Sequence, residues 1–212
     1  MQRLDQILGR RRKVAKGHHL YRMNDPFTSL YAVRLGHFKT QKVSTGGQEQ
    51  ITGFKMSGDL LGMDAIDTEH HHCDAVALED SEVCDIPFSR LEQLFALIPT
   101  LLHHFHQLMS QEISRDQSAM LVLGNMRAEQ RFASFLSNLS SRYKERGYSA
   151  TSFHLRMSRE EIGNYLGLTI ESISRLLSNF KKQSLLRVSN REVELVEYET
   201  LRQLAGGADP VA

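Results

Sequence analysis

Residues 157–182 constrain the fold of this chain more than any other stretch, because their pattern predicts two short helices joined by a tight glycine turn. Ser158 is a favoured N-cap residue, and Glu161 three positions later completes a capping box. Gly167 ends the first helix, since glycine adopts the left-handed C-cap conformation without steric cost. Thr169 can cap a second helix, whose apolar residues recur at helical spacing: Ile173, Leu176, Leu177 and Phe180. This arrangement is typical of a helix-turn-helix motif.

The face of the second helix opposite its apolar stripe predicts contacts with nucleic acid. Glu171 can accept a hydrogen bond from a cytosine amino group, Arg175 can bind a guanine edge with two hydrogen bonds, and Ser174 can do either. The candidates for contacts to the DNA backbone are small polar or basic residues: Ser158, Arg159, Thr169, Ser172, Asn179, Lys181 and Lys182. The alternative is a solvated amphipathic helix in an α-helical domain.

The basic residues are concentrated in the C-terminal third of the chain. The formal net charge of all 212 residues is only +1. Residues 126–191, however, contain 12 arginines and lysines against five glutamates, which gives a local charge of +7. A basic segment of this kind favours a polyanionic partner such as double-stranded DNA.

Composition and hydropathy favour a cytoplasmic protein without a membrane span. The content of 41% hydrophobic and 24% charged residues is that of a soluble globular protein. No apolar run approaches about 18 residues, and the first residues lack the apolar core of a signal peptide. Two cysteines cannot form a disulfide framework, which fits a reducing compartment. Neither a glycine-rich phosphate loop nor a G-x-S-x-G motif is present, so we expect no enzyme.

The segment 14–88 has the pattern of a β domain. Its short apolar runs are separated by turn signals, such as T-G-G at residues 45–47, at near-regular spacing. This pattern indicates a β-sandwich or a small barrel. Residues 1–13 can form a short helix whose R-R-R-K end is solvated. The apolar residues of that helix would lie on one side: Leu4, Ile7 and Leu8.

The spacing of apolar residues predicts a long helix from Pro99 to about Gly124. Pro99 can begin it, because proline is tolerated at the first helical position. Its stripe lies close to heptad spacing and predicts a dimer interface: Leu102, Phe105, Met109, Ile113, Asp116, Met120 and Leu123. The alternative is a helix buried in its own domain. Asp116 departs from the apolar pattern, and we expect it to weaken the dimer because two copies would bring like charges together.

The residues after the second helix of the motif predict a β-hairpin. Residues 185–188 and 192–196 alternate in polarity on either side of a turn at residues 189–190. Residues 153–155 can form a further short strand before the motif. A helix-turn-helix followed by such a hairpin is the winged form of the motif.

In the order and motifs of these segments, the chain resembles the CRP/FNR family of bacterial transcription regulators, and within it the FNR branch. The similarity is carried by residues 161–177, 49–54 and 83–88 and by the pairs Glu112-Ile113 and Asp116-Gln117. The resemblance implies an α+β fold. It comprises an N-terminal β-roll of the cyclic-nucleotide-binding jelly-roll type over residues 1–98, a long dimerisation helix over residues 99–125, and a C-terminal winged helix-turn-helix domain over residues 126–212.

The resemblance also implies how DNA would be recognised. Glu171, Ser174 and Arg175 would contact base edges in the major groove of a two-fold symmetric, TTGAT…ATCAA-like site bound by a homodimer. RNA polymerase would be a partner, and the role would be activation in anaerobic or redox-responsive control. The alternative function is a dimeric sensor module that responds to a small ligand or a metal and does not bind DNA.

The sensor is where the sequence departs from the resemblance. FNR-branch proteins hold a [4Fe–4S] cluster with four cysteines, three of them in an N-terminal segment that has no counterpart in this sequence. Cys84 matches the fourth, and Cys73 has no counterpart in the branch. A cubane cluster needs about four ligands, so we expect no cofactor in these residues and a small buried side chain at Cys84. Two alternatives stay open: a cysteine-containing N-terminal segment that would restore the cluster, or a relative without one.

We expect residues 63–73 of the β domain to bind neither cyclic AMP nor a metal ion. The CRP branch binds cyclic AMP with a glutamate and an adjacent Arg-Ser pair, but Met63 and His71-His72 stand at those positions. A phosphate without a guanidinium loses its strongest charge-assisted hydrogen bonds. The tract 69–73 contains imidazoles and a thiol that suit zinc or copper. Because consecutive residues point to alternating sides, a solvated turn is the favoured interpretation.

Overall fold

The structure, a computed structural model, describes residues 9–44 and 46–206 of the chain. These residues form two compact units, the first ending at Met109 and the second beginning at Ser110. The strands are β1 Arg11–Val14, β2 His19–Tyr21, β3 Ser29–Leu35, β4 His37–Val43, β5 Glu49–Met56, β6 Leu60–Leu61, β7 Asp74–Ala77, β8 Ser81–Pro87, β9 Ser152–His154, β10 Leu186–Ser189 and β11 Glu192–Leu195. The helices are α1 Phe88–Leu97, α2 Pro99–Asn125, α3 Ala128–Glu145, α4 Arg159–Leu166, α5 Ile170–Lys182 and α6 Tyr198–Leu204.

Two four-stranded antiparallel sheets make up the first unit, with strand orders β1-β8-β3-β6 and β2-β7-β4-β5. Alternating residues of both sheets turn inward and share one apolar core, as the two-residue period of a strand requires. The largest members of that core are Leu20, Tyr21, Tyr31, Phe38 and Leu61. The predicted double-sheet β domain is therefore confirmed.

The R-R-R-K run does not end a helix, and this part of the sequence interpretation is wrong. Arg11–Val14 is a strand that pairs with β8, with Arg11 opposite Cys84 and Val14 opposite Ser81. Only Val14 of this strand is buried, so the run carries no apolar alternation that could have indicated a strand. The pairing with a strand some 70 residues away decides the conformation. The apolar side proposed for that helix lies outside the described residues: Leu4, Ile7 and Leu8.

The second unit contains α3 to α6 and a three-stranded sheet of order β10-β11-β9. Its core is aromatic and aliphatic, and the members that are almost completely buried are Phe132, Leu136, Ile162, Leu166, Ile173, Phe180, Leu186 and Leu201. The hairpin β10–β11 and the strand β9 confirm the predicted wing. Helix α6 has no counterpart in the sequence prediction; it packs through Leu201, and α3 is its main partner.

Candidate nucleic-acid interface

The two helices of the motif are set by local hydrogen bonds that the sequence predicted. The backbone N–H of Glu161 donates to Ser158 Oγ at 3.1 Å, and the N–H of Ser158 donates to Glu161 Oε2 at 2.8 Å, so the capping box is confirmed. Gly167 ends α4 with φ 63°, in the left-handed region that glycine tolerates. The Ser172 N–H then donates to Thr169 Oγ1 at 3.2 Å and begins α5.

A second glycine, inside α4, brings the two helices of the motif close together. A Cβ atom at Gly163 would lie 2.7 Å from the carbonyl oxygen of Leu168 in the turn and 3.5 Å from the Ile173 side chain. The Leu168 N–H donates to the Gly163 carbonyl at 2.8 Å in the same place. Residue 163 therefore has to be glycine for the turn to pack against α4 at this distance.

Helix α5 buries one face and exposes the other. Its apolar residues Ile173 and Phe180 are completely buried, and Leu176 and Leu177 are nearly so, which confirms the predicted stripe. The side chains of Glu171 and Arg175 are exposed. The other α5 residues predicted to contact DNA are either exposed, namely Asn179, Lys181 and Lys182, or half-buried, namely Ser172 and Ser174.

Hydrogen bonds link the exposed polar residues of the motif to one another. Arg175 donates to Ser172 Oγ at 3.4 Å, and the hydroxyl oxygens of Thr169 and Ser172 lie within hydrogen-bond distance of each other, at 3.2 Å. Arg159, at the start of α4, donates to Ser174 Oγ at 3.3 Å. These contacts join residues for which the sequence analysis predicted contacts to base edges with residues for which it predicted contacts to the DNA backbone.

Glu171 is held in its charged form at the beginning of α5. Hydrogen bonds from its own backbone N–H and from the Thr169 side chain, and the nearby positive charge of Arg175, lower the pKa of the Glu171 carboxyl. The carboxylate is therefore an acceptor only, which suits an exposed amino group on a base edge.

Arg131 and Arg191 have structural roles that sequence reasoning missed. Arg131, near the beginning of α3, donates through Nε to the Met126 carbonyl at 2.9 Å and through a terminal nitrogen to the Leu166 carbonyl at 3.0 Å. It thus places positive charge at the C-terminus of α4, where the helix dipole is negative. Arg191, beside the turn of the wing, is exposed and donates to the Arg156 carbonyl at 3.4 Å. The sequence analysis counted both arginines among the basic residues of the C-terminal third and predicted no particular contact for either.

The predicted dimer stripe divides into two parts along α2. Phe105 is only 8% exposed and packs with Leu30 and Leu91 in a core of the first unit, to which Met109 also contributes. Further along the helix, Ile113 is 55% exposed and Met120 is 71% exposed. The other members are half-buried in the case of Leu102 and exposed in the case of Asp116 and Leu123.

The tract 69–73 is not a solvated turn throughout, and that interpretation needs correction. The ring of His71 is 2% exposed and stacks on Tyr21, with 3.6 Å between ring centroids. Cys73 is also buried and its thiol donates to Asp64 Oδ2 at 3.4 Å, whereas His70 is exposed. Side chains do alternate between the two sides, as expected, but one side faces the core. Tyr21 lies 50 residues earlier, so the sequence near the histidines gives no sign of it.

Both cysteines of the chain are buried and unpaired by disulfides. Burial, and then the Asp64 carboxylate, raise the pKa of the Cys73 thiol to about 12, so this thiol is protonated at neutral pH in the absence of a metal ion. Cys84 is a buried residue in β8, as predicted. In residues 9–44 and 46–206 we find no three histidine, cysteine, aspartate or glutamate side chains arranged to hold a metal ion. The described residues alone therefore do not fit a [4Fe–4S] cluster.

Within the same described ranges, no helix has the length and apolar character needed to cross a lipid bilayer.

Two family models match the chain. Residues 11–97 match the cyclic nucleotide-binding domain, and residues 130–204 match the Crp-like helix-turn-helix domain. The chain is 47% identical to the transcriptional regulatory protein btr of Bordetella pertussis, over 97% of this chain and 85% of that protein. It is 45% identical to the fumarate and nitrate reduction regulatory protein of Escherichia coli, over 100% of this chain and 85% of that protein. Among solved structures, FixK2 from Bradyrhizobium japonicum is 29% identical with a TM-score of 0.83, over 96% of this chain and 98% of that one.

Proposed function

Because the chain belongs to the CRP/FNR family of transcription regulators, whose members bind DNA and act as dimers, we propose that it binds a two-fold symmetric, TTGAT…ATCAA-like site as a homodimer. Glu171, Ser174 and Arg175 contact base edges in the major groove. The residues that contact the DNA backbone are Ser158, Arg159, Thr169, Ser172, Asn179, Lys181 and Lys182. The chain is a regulator and not an enzyme.

The observation that carries this proposal is the charge and exposure of one face of α5. The Glu171 carboxylate and the Arg175 guanidinium project from the first two turns of the helix, which are the turns that enter the groove in helix-turn-helix proteins. Both belong to residue types that discriminate bases by hydrogen bonding. The Ser172 hydroxyl, which also contacts the Thr169 hydroxyl, accepts a hydrogen bond from Arg175 before DNA binds, and this lowers the conformational entropy that the arginine loses on binding.

The exposed half of α2 supports a homodimer. Ile113 and Met120 are large apolar side chains that are more than half exposed, and their spacing of seven residues suits pairing with the same helix of a second copy. Two-fold symmetry then sets the two α5 helices one DNA turn apart, about 34 Å. In this assembly residues 1–98 form the sensor-like domain, residues 99–125 the dimer helix and residues 126–212 the DNA-binding domain.

The names of the relatives favour redox-responsive control of transcription, and the family resemblance implies RNA polymerase as a partner. The E. coli relative is named for fumarate and nitrate reduction, both of which are electron-accepting processes. A [4Fe–4S] cluster would require thiolates besides the matched Cys84, and it enters the proposal only if a further segment supplies them. Cyclic AMP is not the expected signal, because the segment that holds its phosphate in the CRP branch carries His71-His72 instead of Arg-Ser. We place the protein in the cytoplasm, where its DNA is.

A salt titration separates this function from the alternative of a dimeric sensor that does not bind DNA. Fluorescence anisotropy with a labelled palindromic duplex should show an affinity that falls steeply as salt rises, because phosphate contacts release counterions. A shuffled duplex of the same length is the control for specificity and should bind far more weakly at every salt concentration. A dimer that binds neither duplex would contradict the proposal and support the sensor module.

A further inference from the structure

Three histidines stand close together near the beginning of α2. His103, His104 and His106 are all exposed. His103 and His106 are three residues apart, so their side chains are neighbours on the helix surface with Cβ atoms about 5–6 Å apart. His104 points to a different side of the helix, where its Nδ1 hydrogen-bonds to Gln107 Oε1 at 3.0 Å.

His106 lies on the same stripe as the exposed apolar residues of α2. His106, Ile113 and Met120 recur at intervals of seven residues, which places them at equivalent positions of a heptad repeat. Leu102, Met109, Asp116 and Leu123 form the second heptad row. His103 flanks this seam, one residue beyond Leu102. Phe105, between the histidines, turns instead into the core of the first unit.

A second copy of the chain is the occupant that this stripe fits. In a parallel, in-register pair of helices, residues at equivalent heptad positions lie opposite each other. His106 would then face His106 of the second copy, with a His103 on either side. Each chain supplies two imidazoles, so four converge only in the dimer. This agrees with the finding that the described residues of one chain contain no set of three metal-binding side chains.

We propose that the homodimer binds one transition-metal ion, with Zn²⁺ as the best-fitting ion, through His103 and His106 of both copies. Neutral imidazole nitrogens are ligands for zinc, nickel and copper, and four of them can satisfy the tetrahedral geometry of a structural zinc site. A metal ion that binds only the dimer stabilises it by mass action. Zinc would thus tighten α2 pairing near the beginning of the helix, on the N-terminal side of Asp116. This inference rests on the homodimer proposed above.

The test measures metal binding and dimer dissociation of the intact chain in parallel. Isothermal titration with ZnCl2 should give one tightly bound ion per dimer. Sedimentation equilibrium should show a dimer dissociation constant at least about tenfold lower with zinc than with EDTA. His106→Ala should abolish both effects, and His103→Ala should weaken both. His104→Ala is the matched control, because it removes an exposed imidazole from the same helix turn and should change neither.

Two further variants and one further readout keep the outcomes distinct. His70→Ala and His72→Ala, in the other histidine tract, should leave the zinc effect intact; loss of the effect in either would overturn the assignment. So would zinc-tightened dimers that persist in His106→Ala. Binding to the palindromic duplex is measured in the same samples with EDTA. A dimer that binds this duplex but ignores zinc contradicts only the metal site, whereas a chain that remains monomeric and does not bind the duplex contradicts the proposed function itself.

Discussion

Replacing Gly163 by alanine should disturb the helix-turn-helix motif at the contact that fixes the angle between its two helices. The added Cβ would lie 2.7 Å from the Leu168 carbonyl oxygen, whereas ordinary van der Waals contacts begin at 3.4 Å. About 0.7 Å of extra room must therefore come from movement of backbone in the turn. Overpacking of this kind costs about 1–3 kcal/mol.

Alanine also favours the helix by about 0.5–1 kcal/mol relative to glycine, so the overpacking cost is best measured against a second substitution. Gly124 is the matched control, because it too lies in a helix and an added Cβ there meets nothing within 4 Å. Gly124 is the last residue but one of α2, so the gain in helix propensity there is at most as large as at Gly163, which lies inside α4. Because the cost of overpacking exceeds this difference in propensity, the free energy of unfolding of Gly163→Ala should lie below that of Gly124→Ala, by up to about 3 kcal/mol.

Urea denaturation followed by circular dichroism gives both free energies, and anisotropy with the palindromic duplex gives the affinity of each variant. We expect Gly163→Ala to lose specific affinity, because the turn that sets α5 has moved, and Gly124→Ala to keep it. Equal free energies of unfolding for the two variants would refute the reasoning, because they would mean that the turn accommodates the methyl group without strain.

Two other perturbations test the dimer helix and the buried thiol. Asp116→Ala should lower the dimer dissociation constant about tenfold at low salt, because two carboxylates no longer face each other in the partly dry interface between the α2 helices. The control Asp67→Ala, on an exposed loop, should leave this constant unchanged. Sedimentation equilibrium measures the dissociation constant of both variants. In the folded protein the pKa of Cys73 is about 12, above the ordinary value of 9.0 for a cysteine thiol. The unfolded chain therefore loses the thiol proton at a lower pH than the folded protein does. As a result, the contribution of this thiol to stability is complete below about pH 9 and is lost as the pH rises towards 12. Cys73→Ala should therefore make the fall in stability above pH 9 less steep, by up to about 1.4 kcal/mol per pH unit, and an unchanged slope would contradict the burial of the thiol.

The parts of the fold that the sequence predicts well are those whose signals are local. The capping box at Ser158, the left-handed Gly167 and the apolar spacing from Ile173 to Phe180 each depend on neighbours within four residues, and the structure confirms all of them. The hairpin of the wing has the same local character, with Asn190 at positive φ in its turn.

The parts that the sequence does not predict depend on contacts between distant residues. The strand at Arg11 forms because β8 is available to pair with it, and the burial of His71 depends on Tyr21. Phe105 has the spacing of a dimer residue, yet Leu30 and Leu91 enclose it in its own unit. Arg131 shows the same limit at the candidate site, since its hydrogen bond to Leu166 spans 35 residues.

The affinity of Arg175→Ala for the palindromic duplex and for a shuffled duplex tests the central claim most directly. The claim is that the exposed face of α5 recognises bases, with Arg175 hydrogen-bonded to a guanine edge. Fluorescence anisotropy should show that Arg175→Ala loses about 1–3 kcal/mol of binding free energy for the palindromic duplex and binds the shuffled duplex almost unchanged. The control Arg202→Ala, which removes a positive charge from α6, should lower neither affinity by a comparable amount. An equal loss on both duplexes would mean that Arg175 contacts only phosphate, and no loss on either would contradict the assignment of this face to DNA.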